Sequence, residues 1–200
     1  MTLNRRHLLL APAALWLNLA RPVRADDGPV KVAGVSFERQ ARVAGVDLLL
    51  NGTGVRAVAW FKGYAAGLYL TARAGTAAEV TAVPGPKRLQ LRLLRDVSSA
   101  EFVKALRVGM PRNSPPALVP QLAERMDKLA ALIAALEEVH DGDLINLDYE
   151  PARGLVFVVN GKARGEAIPG DDFYGALLRV FVGDHPSDEK LKAGLLGHAA

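Results

Sequence analysis

Asn51-Gly52-Thr53-Gly54-Val55-Arg56-Ala57-Val58-Ala59-Trp60-Phe61-Lys62-Gly63-Tyr64-Ala65-Ala66-Gly67-Leu68-Tyr69-Leu70 is the stretch from which the rest of this 200-residue chain can be read. It is apolar and strand-like, yet it carries an arginine just after a pair of glycines. Asn51 to Gly54 predicts a turn leading into the strand, and Gly63 predicts a bend or bulge inside it. Side chains alternate faces along a strand. Without a bulge, Arg56, Val58, Trp60, Lys62, Tyr64, Ala66 and Leu68 would therefore share one face. That face sets a permanent cation beside an indole and a phenol. A buried guanidinium needs a partner, and two readings of Arg56 stand at this point. It pairs with a structural acid, or it anchors a ligand.

Upstream, residues 31–51 alternate loosely and are broken by Gly34 and Gly45, which predicts short strands joined by tight turns. Downstream, Thr76 to Val83 predicts a short helix ended by Pro84-Gly85-Pro86. Lys87 to Arg95 predicts a strand with Leu89, Leu91 and Leu93 on one face and Arg88, Gln90 and Arg92 on the other. Ser98-Ser99-Ala100-Glu101 has the form of a capping box opening a helix. The helix is expected to run to about Gly109, with Pro111 stopping it. Leu118, Leu122, Met126, Leu129, Ile133 and Leu136 recur at helical spacing, as a core-facing stripe does. Asp141-Gly142-Asp143 turns the chain into a strand, Leu144 to Tyr149, and Gly154 to Val159 is its partner. Asn160-Gly161 is the strongest hairpin signal, because a tight two-residue turn needs positive φ at both positions. Pro169-Gly170-Asp171-Asp172 starts a last long helix with Ala176, Leu177, Val180 and Phe181 facing inward. An amphipathic tail, Ser187 to Leu196, follows. Strands, then helices, then a hairpin, then helices predict an α+β fold, with helices packed on one face of a mostly antiparallel sheet.

Residues 1–25 read as an export signal. Arg5 and Arg6 precede an apolar run, Leu8 to Leu19, and Val23-Arg24-Ala25 offers a cleavage site. Asn4 to Leu9 also fits a twin-arginine signal; an uncut N-terminal anchor is the alternative. Residues 26–200 are expected to form one domain, periplasmic or secreted. Arg5, Arg6, Arg21 and Arg24 account for the whole formal charge of +4. The expected mature part is neutral, which gives no footing for nucleic acid or for anionic membrane beyond the leader. There is no cysteine, so the core must stabilise the fold without disulfides.

The absence of cysteine also rules out a thiol nucleophile. His140, His185 and His198 show no metal-ligand spacing and read as solvated surface residues. Asp141, Asp143 and Asp148 lack the pattern of a calcium loop. Gly52 and Gly54 precede a strand, whereas phosphate sites use glycines that open a helix. There is no Gly-x-Ser-x-Gly elbow. No metal and no cofactor are expected. What is left is Arg56, Lys62, Tyr64 and Tyr69 in apolar surroundings. A guanidinium offers a planar fork suited to a carboxylate or an enolate-like oxygen.

Gly54-Val55-Arg56 with Lys62 to Leu70, Lys87 to Val97 with its capped helix, Phe173 to Asp184, and Leu191 to Gly197 together resemble the chalcone isomerase fold family. The exported bacterial chalcone isomerase-like proteins are the group they resemble most. The resemblance spans roughly residues 30–197. It implies an open-faced β-sandwich, with a ligand cleft between sheet and helices. In the enzymes of that family an intramolecular addition closes a chalcone to a flavanone, and the arginine matching Arg56 stabilises developing negative charge. In plastid relatives it grips a fatty-acid carboxylate. This chain departs from the enzymes. Tyr64 stands at the family threonine, and Glu101 and Val108 fall near the places of its tyrosine and asparagine. The resemblance thus implies a non-catalytic monomer that binds a small apolar carboxylate. Arg56, Trp60, Lys62 and Tyr64 would bind it, with Arg56 as anchor and no built-in counter-ion beside it. If the protein is an enzyme, Arg56 and Tyr64 are its catalytic pair. An envelope interaction module without a small ligand is the remaining alternative.

Overall fold

The structure, a computed structural model, describes residues 28–58 and 61–198, with Val58, Phe61 and Lys62 described by backbone alone. The expected leader, residues 1–25, lies outside the described residues.

Short turns at Ala33-Gly34 and Ala44-Gly45 set the N-terminal pattern, as the glycines predict. They separate β1 (Val30–Val32) from β2 (Val35–Phe37), and β3 (Gln40–Val43) from β4 (Val46–Val58). β4 hairpins into β5 (Phe61–Leu70), and α1 (Ala77–Ala82) leads to β6 (Lys87–Leu93). A two-residue strand β7 (Val97–Ser98) opens α2 (Ser99–Arg112), followed by α3 (Val119–Ala134) and β8 (Glu138–Val139), which pairs with β7. β9 (Leu144–Glu150), β10 (Gly154–Val159), β11 (Lys162–Ala163), α4 (Asp171–Val182) and α5 (Glu189–Leu195) complete the chain. The main sheet has seven strands in the order β11-β10-β9-β6-β5-β4-β3, with every neighbouring pair antiparallel. Asn160 and Gly161 take φ of 50° and 77° at the β10–β11 turn.

Alternation along the strands builds two cores. Tyr64, Ala66, Leu68 and Leu70 of β5, with Leu89, Leu91 and Leu93 of β6, face the helices and join the larger one. Ala65 and Tyr69 point the other way and pack with Phe37, Leu48 and Leu50 under the β1–β2 hairpin. On the remaining outer face, beside Val156 and Val158, polar side chains pair laterally. Arg88 donates two 2.6 Å hydrogen bonds to Asp148, and Gln90 bonds Asn146. The sheet is covered fully on one face and in part on the other, the α+β open sandwich expected from the sequence.

Four local expectations change. The long apolar segment is two strands, not one. Asn51 to Gly54 is not a turn but the middle of β4, and tertiary contact explains its glycines. A Cβ on Gly52 would stand 2.2 Å from the Gly194 carbonyl oxygen of α5, and one on Gly54 would stand 2.8 Å from that of Leu191. Only a bare backbone lets α5 lie this close to the sheet. α2 continues to Arg112 with Pro111 in its last turn, although the proline itself cannot donate to a helical bond. At the start of α2, the Ser98 side chain accepts from the Ala100 amide, a simple N-cap. The reciprocal capping box forms instead at Thr76 and Glu79 of α1.

Candidate functional site

Two β-bulges place the polar groups of the site. One lies between Leu50 and Gly52, opposite Tyr69 and Leu68, so Asn51 is the extra residue. Its buried amide donates to the Ala74 and Leu195 carbonyls and accepts from the Ala74 amide, tying the C-terminal end of α5 to β4. The other skips Gly63, as that glycine predicts, so that Arg56 pairs with Tyr64 and Ala57 with Lys62. Arg56 and Tyr64 do share the helix-facing side. They share it as cross-strand neighbours, not as residues eight apart on one strand. Gly52, Gly54 and Arg56 therefore form one row beneath α5, with Arg56 at the helix's N-terminal end.

There the guanidinium meets two residues that the sequence reading did not single out. Arg56 Nη1 donates to the Ser187 carbonyl oxygen. Asp188 is the N-cap of α5. Its Oδ1 accepts from the Leu191 amide, and its Oδ2 faces the Ala57 amide at 3.4 Å and Arg56 Nη1 at 3.9 Å. The expectation of no built-in counter-ion is thus corrected. Asp188 stands beside the cation, but beyond hydrogen-bond distance, because its carboxylate is already engaged by the helix it caps. The Arg56 side chain keeps 28% of its surface exposed.

Tyr64 is buried, and burial pushes its phenol up to about 12. The neighbouring Arg56 and the Ser187 hydroxyl pull the other way without reversing the shift. The phenol is therefore neutral at any ordinary pH and can donate a hydrogen bond. Ser187 Oγ is buried and makes no properly formed hydrogen bond.

These groups border a cavity of about 640 Å³ between the sheet and α2, α3 and α4. Its interior is apolar, with Leu91, Ile145 and Phe157 from the strands and Leu106, Leu129 and Leu177 from the helices. Phe102 packs at 6.2 Å from the Tyr64 ring. Exposed Asp96, Glu101 and Lys104 mark where the cavity reaches solvent. Arg56, Tyr64 and Ser187 supply a compact polar corner to an otherwise greasy space. Such a space suits an amphiphile whose polar end can accept hydrogen bonds.

Trp60 lies outside the described residues, and so does the side chain of Lys62. Tyr69 lies on the opposite face of the sheet. Glu101 and Val108 both line the cavity from α2. Among the described residues, no group of three or more His, Asp or Glu could hold a metal ion. The three histidines among the described residues, His140, His185 and His198, are exposed. A sequence signal for Asp188 did exist, since Asp before a helical tail is a common N-cap. Nothing local said that this cap would meet Arg56.

Among solved structures, a fatty-acid binding protein of Arabidopsis thaliana matches with a TM-score of 0.60, covering 82% of this chain and 92% of that one at 14% identity. At that identity the likeness concerns the fold. No curated protein matches the chain. The family model described as chalcone isomerase-like matches residues 29–197. With that match spanning nearly all of the described residues, the chain belongs to the chalcone isomerase-like family.

Proposed function

We propose that this protein binds a small apolar carboxylate such as a fatty acid, with the acyl chain in the cavity and the head group at Arg56 and Tyr64. The observation that carries this reading is an apolar cavity of about 640 Å³ whose polar corner is built around Arg56. Each buried methylene contributes ~0.8 kcal/mol, so about eight give ~6 kcal/mol before association costs. A charge-assisted hydrogen bond adds ~1.5–3 kcal/mol. The chain drives affinity and Arg56 sets orientation. The fold likeness to a plant fatty-acid binding protein supports the same reading. The leader-like residues 1–25 place the protein outside the cytoplasm in this proposal, as a periplasmic or secreted monomer with no cofactor. N-terminal sequencing of protein recovered from the host envelope tests that placement. Mass spectrometry of lipids extracted from that material, followed by titration of delipidated protein, tests the ligand. Recovery of no amphiphile, with no saturable fatty-acid binding, overturns the reading.

A neutral phenol beside a guanidinium also fits stabilisation of an enolate, the second reading. Absorbance decay of hydroxylated chalcones no faster than in buffer sets it aside.

A further inference from the structure

Lys87 breaks the pattern of its own strand. The buried row of β6 runs Lys87, Leu89, Leu91, Leu93 along the face under the helices. An ammonium thus occupies a place where its row is otherwise leucine, and the residue is only 3% exposed. Asn51, Asn146 and Asp148, also buried, have hydrogen-bonded side chains. The Lys87 ammonium has no hydrogen bond or ion pair among the described residues. Its close neighbour is the Tyr149 ring, with the centroid 5.2 Å from Nζ. Burial lowers its pKa, and Asp171 opposes that shift. A buried charge beside a ring face and one exposed carboxylate is costly unless something else solvates it.

What it meets is a second cavity of about 120 Å³, toward the opposite end of β6 from Arg95 and Asp96. Thr81, Asp171, Asp172 and Arg179 share its lining. Asp172 is already bound bidentately by Arg125, at 2.7 and 2.6 Å. Arg179 makes no ion pair among the described residues, and its Nε is buried without a partner. Asp171 faces both the Tyr149 hydroxyl and Lys87, so two cations stand against one carboxylate that no arginine among the described residues binds, in a space fit for a few heavy atoms.

We propose that this cavity is a small-oxyanion site, with Lys87 as the charge anchor and Arg179 as the second cation, taking an ion the size of phosphate or a short carboxylate. A short carboxylate donates nothing, and phosphate near neutral pH keeps a P–OH group beside its acceptor oxygens; either accepts the hydrogen bonds that the buried ammonium has to give. The test uses the full chain and two probes, inorganic phosphate and acetate, against chloride at equal ionic strength. Thermal unfolding and isothermal titration are the readouts. A saturable rise in melting temperature with either probe, lost in Lys87→Met, is the expected result; the probe that binds more tightly distinguishes phosphate chemistry from carboxylate chemistry. Asp171→Asn removes a like charge from the ion's surroundings and should tighten binding by about tenfold. If Lys87→Met does not fold, Arg179→Gln carries the test, and weaker binding supports the site. No saturable effect in the wild type, equal binding by the folded variants, or weaker binding in Asp171→Asn overturns it.

Discussion

Arg56 is held by one carbonyl and a distant carboxylate, so part of its hydrogen-bonding capacity is open to a ligand. Replacing it with alanine is expected to weaken fatty-acid binding by roughly 10- to 100-fold, the equivalent of ~1.5–3 kcal/mol for a charge-assisted bond. Cooperative unfolding should persist. Titration of delipidated wild type and variant checks this, and equal affinities would remove Arg56 from the site. Gly52 makes an opposite kind of demand. Its missing side chain is what α5 rests on, with the Gly194 carbonyl 2.2 Å from where a Cβ would be. Gly52→Ala should cost about 1–3 kcal/mol through overpacking, read as a lower denaturation midpoint. Unchanged stability would mean that α5 is not seated as described.

α5 is the element that joins fold and site. Its N-cap Asp188 serves the helix and lies near the cation at once, so its removal should act on stability and affinity with opposite signs. Asp188→Ala loses a cap that accepts from the Leu191 amide, at a cost of ~1 kcal/mol. It also removes an acid competing for Arg56. The pair is partly solvent-screened, so fatty-acid affinity should rise only about two- to fivefold. Denaturation and titration on the same preparation read both quantities. A parallel fall in both would show that Asp188 supports the site instead of competing for it.

At the scale of the whole molecule, buried tyrosines tie stability to alkaline pH. Burial raises both Tyr64 and Tyr69 to about 12 from an ordinary value of 10.0, and Tyr174 shifts the same way. A raised acid holds its proton more tightly when folded. Its contribution is complete below the unfolded value and is lost as pH climbs through the folded one. Stability should therefore fall between pH 10 and 12, by on the order of 2–3 kcal/mol for each of Tyr64 and Tyr69. Phenolate absorbance together with denaturant midpoints measures this. Tyr64→Phe should flatten the fall, and an unchanged slope would place that phenol in solvent.

Local pattern alone determined much of this protein. The leucine alternation of β6, the helical stripe of α3 and the Asn160-Gly161 turn are legible because each rests on neighbours a few residues apart. The likeness of Arg56 and Tyr64 to a site was legible too, but the reason was not. A hairpin and a bulge bring them together, and parity along a single strand cannot reveal either. Tertiary structure decided the rest. Gly52 and Gly54 look like a turn until a helix some 140 residues later lies on them, as Asn51 bonding Leu195 records. Ser187 and Asp188 reach Arg56, and Lys87 reaches its cavity, only once the helices have docked. Secondary structure follows from short-range sterics and periodicity. A polar site needs side chains from distant elements at hydrogen-bond range, and no sequence spacing encodes that distance.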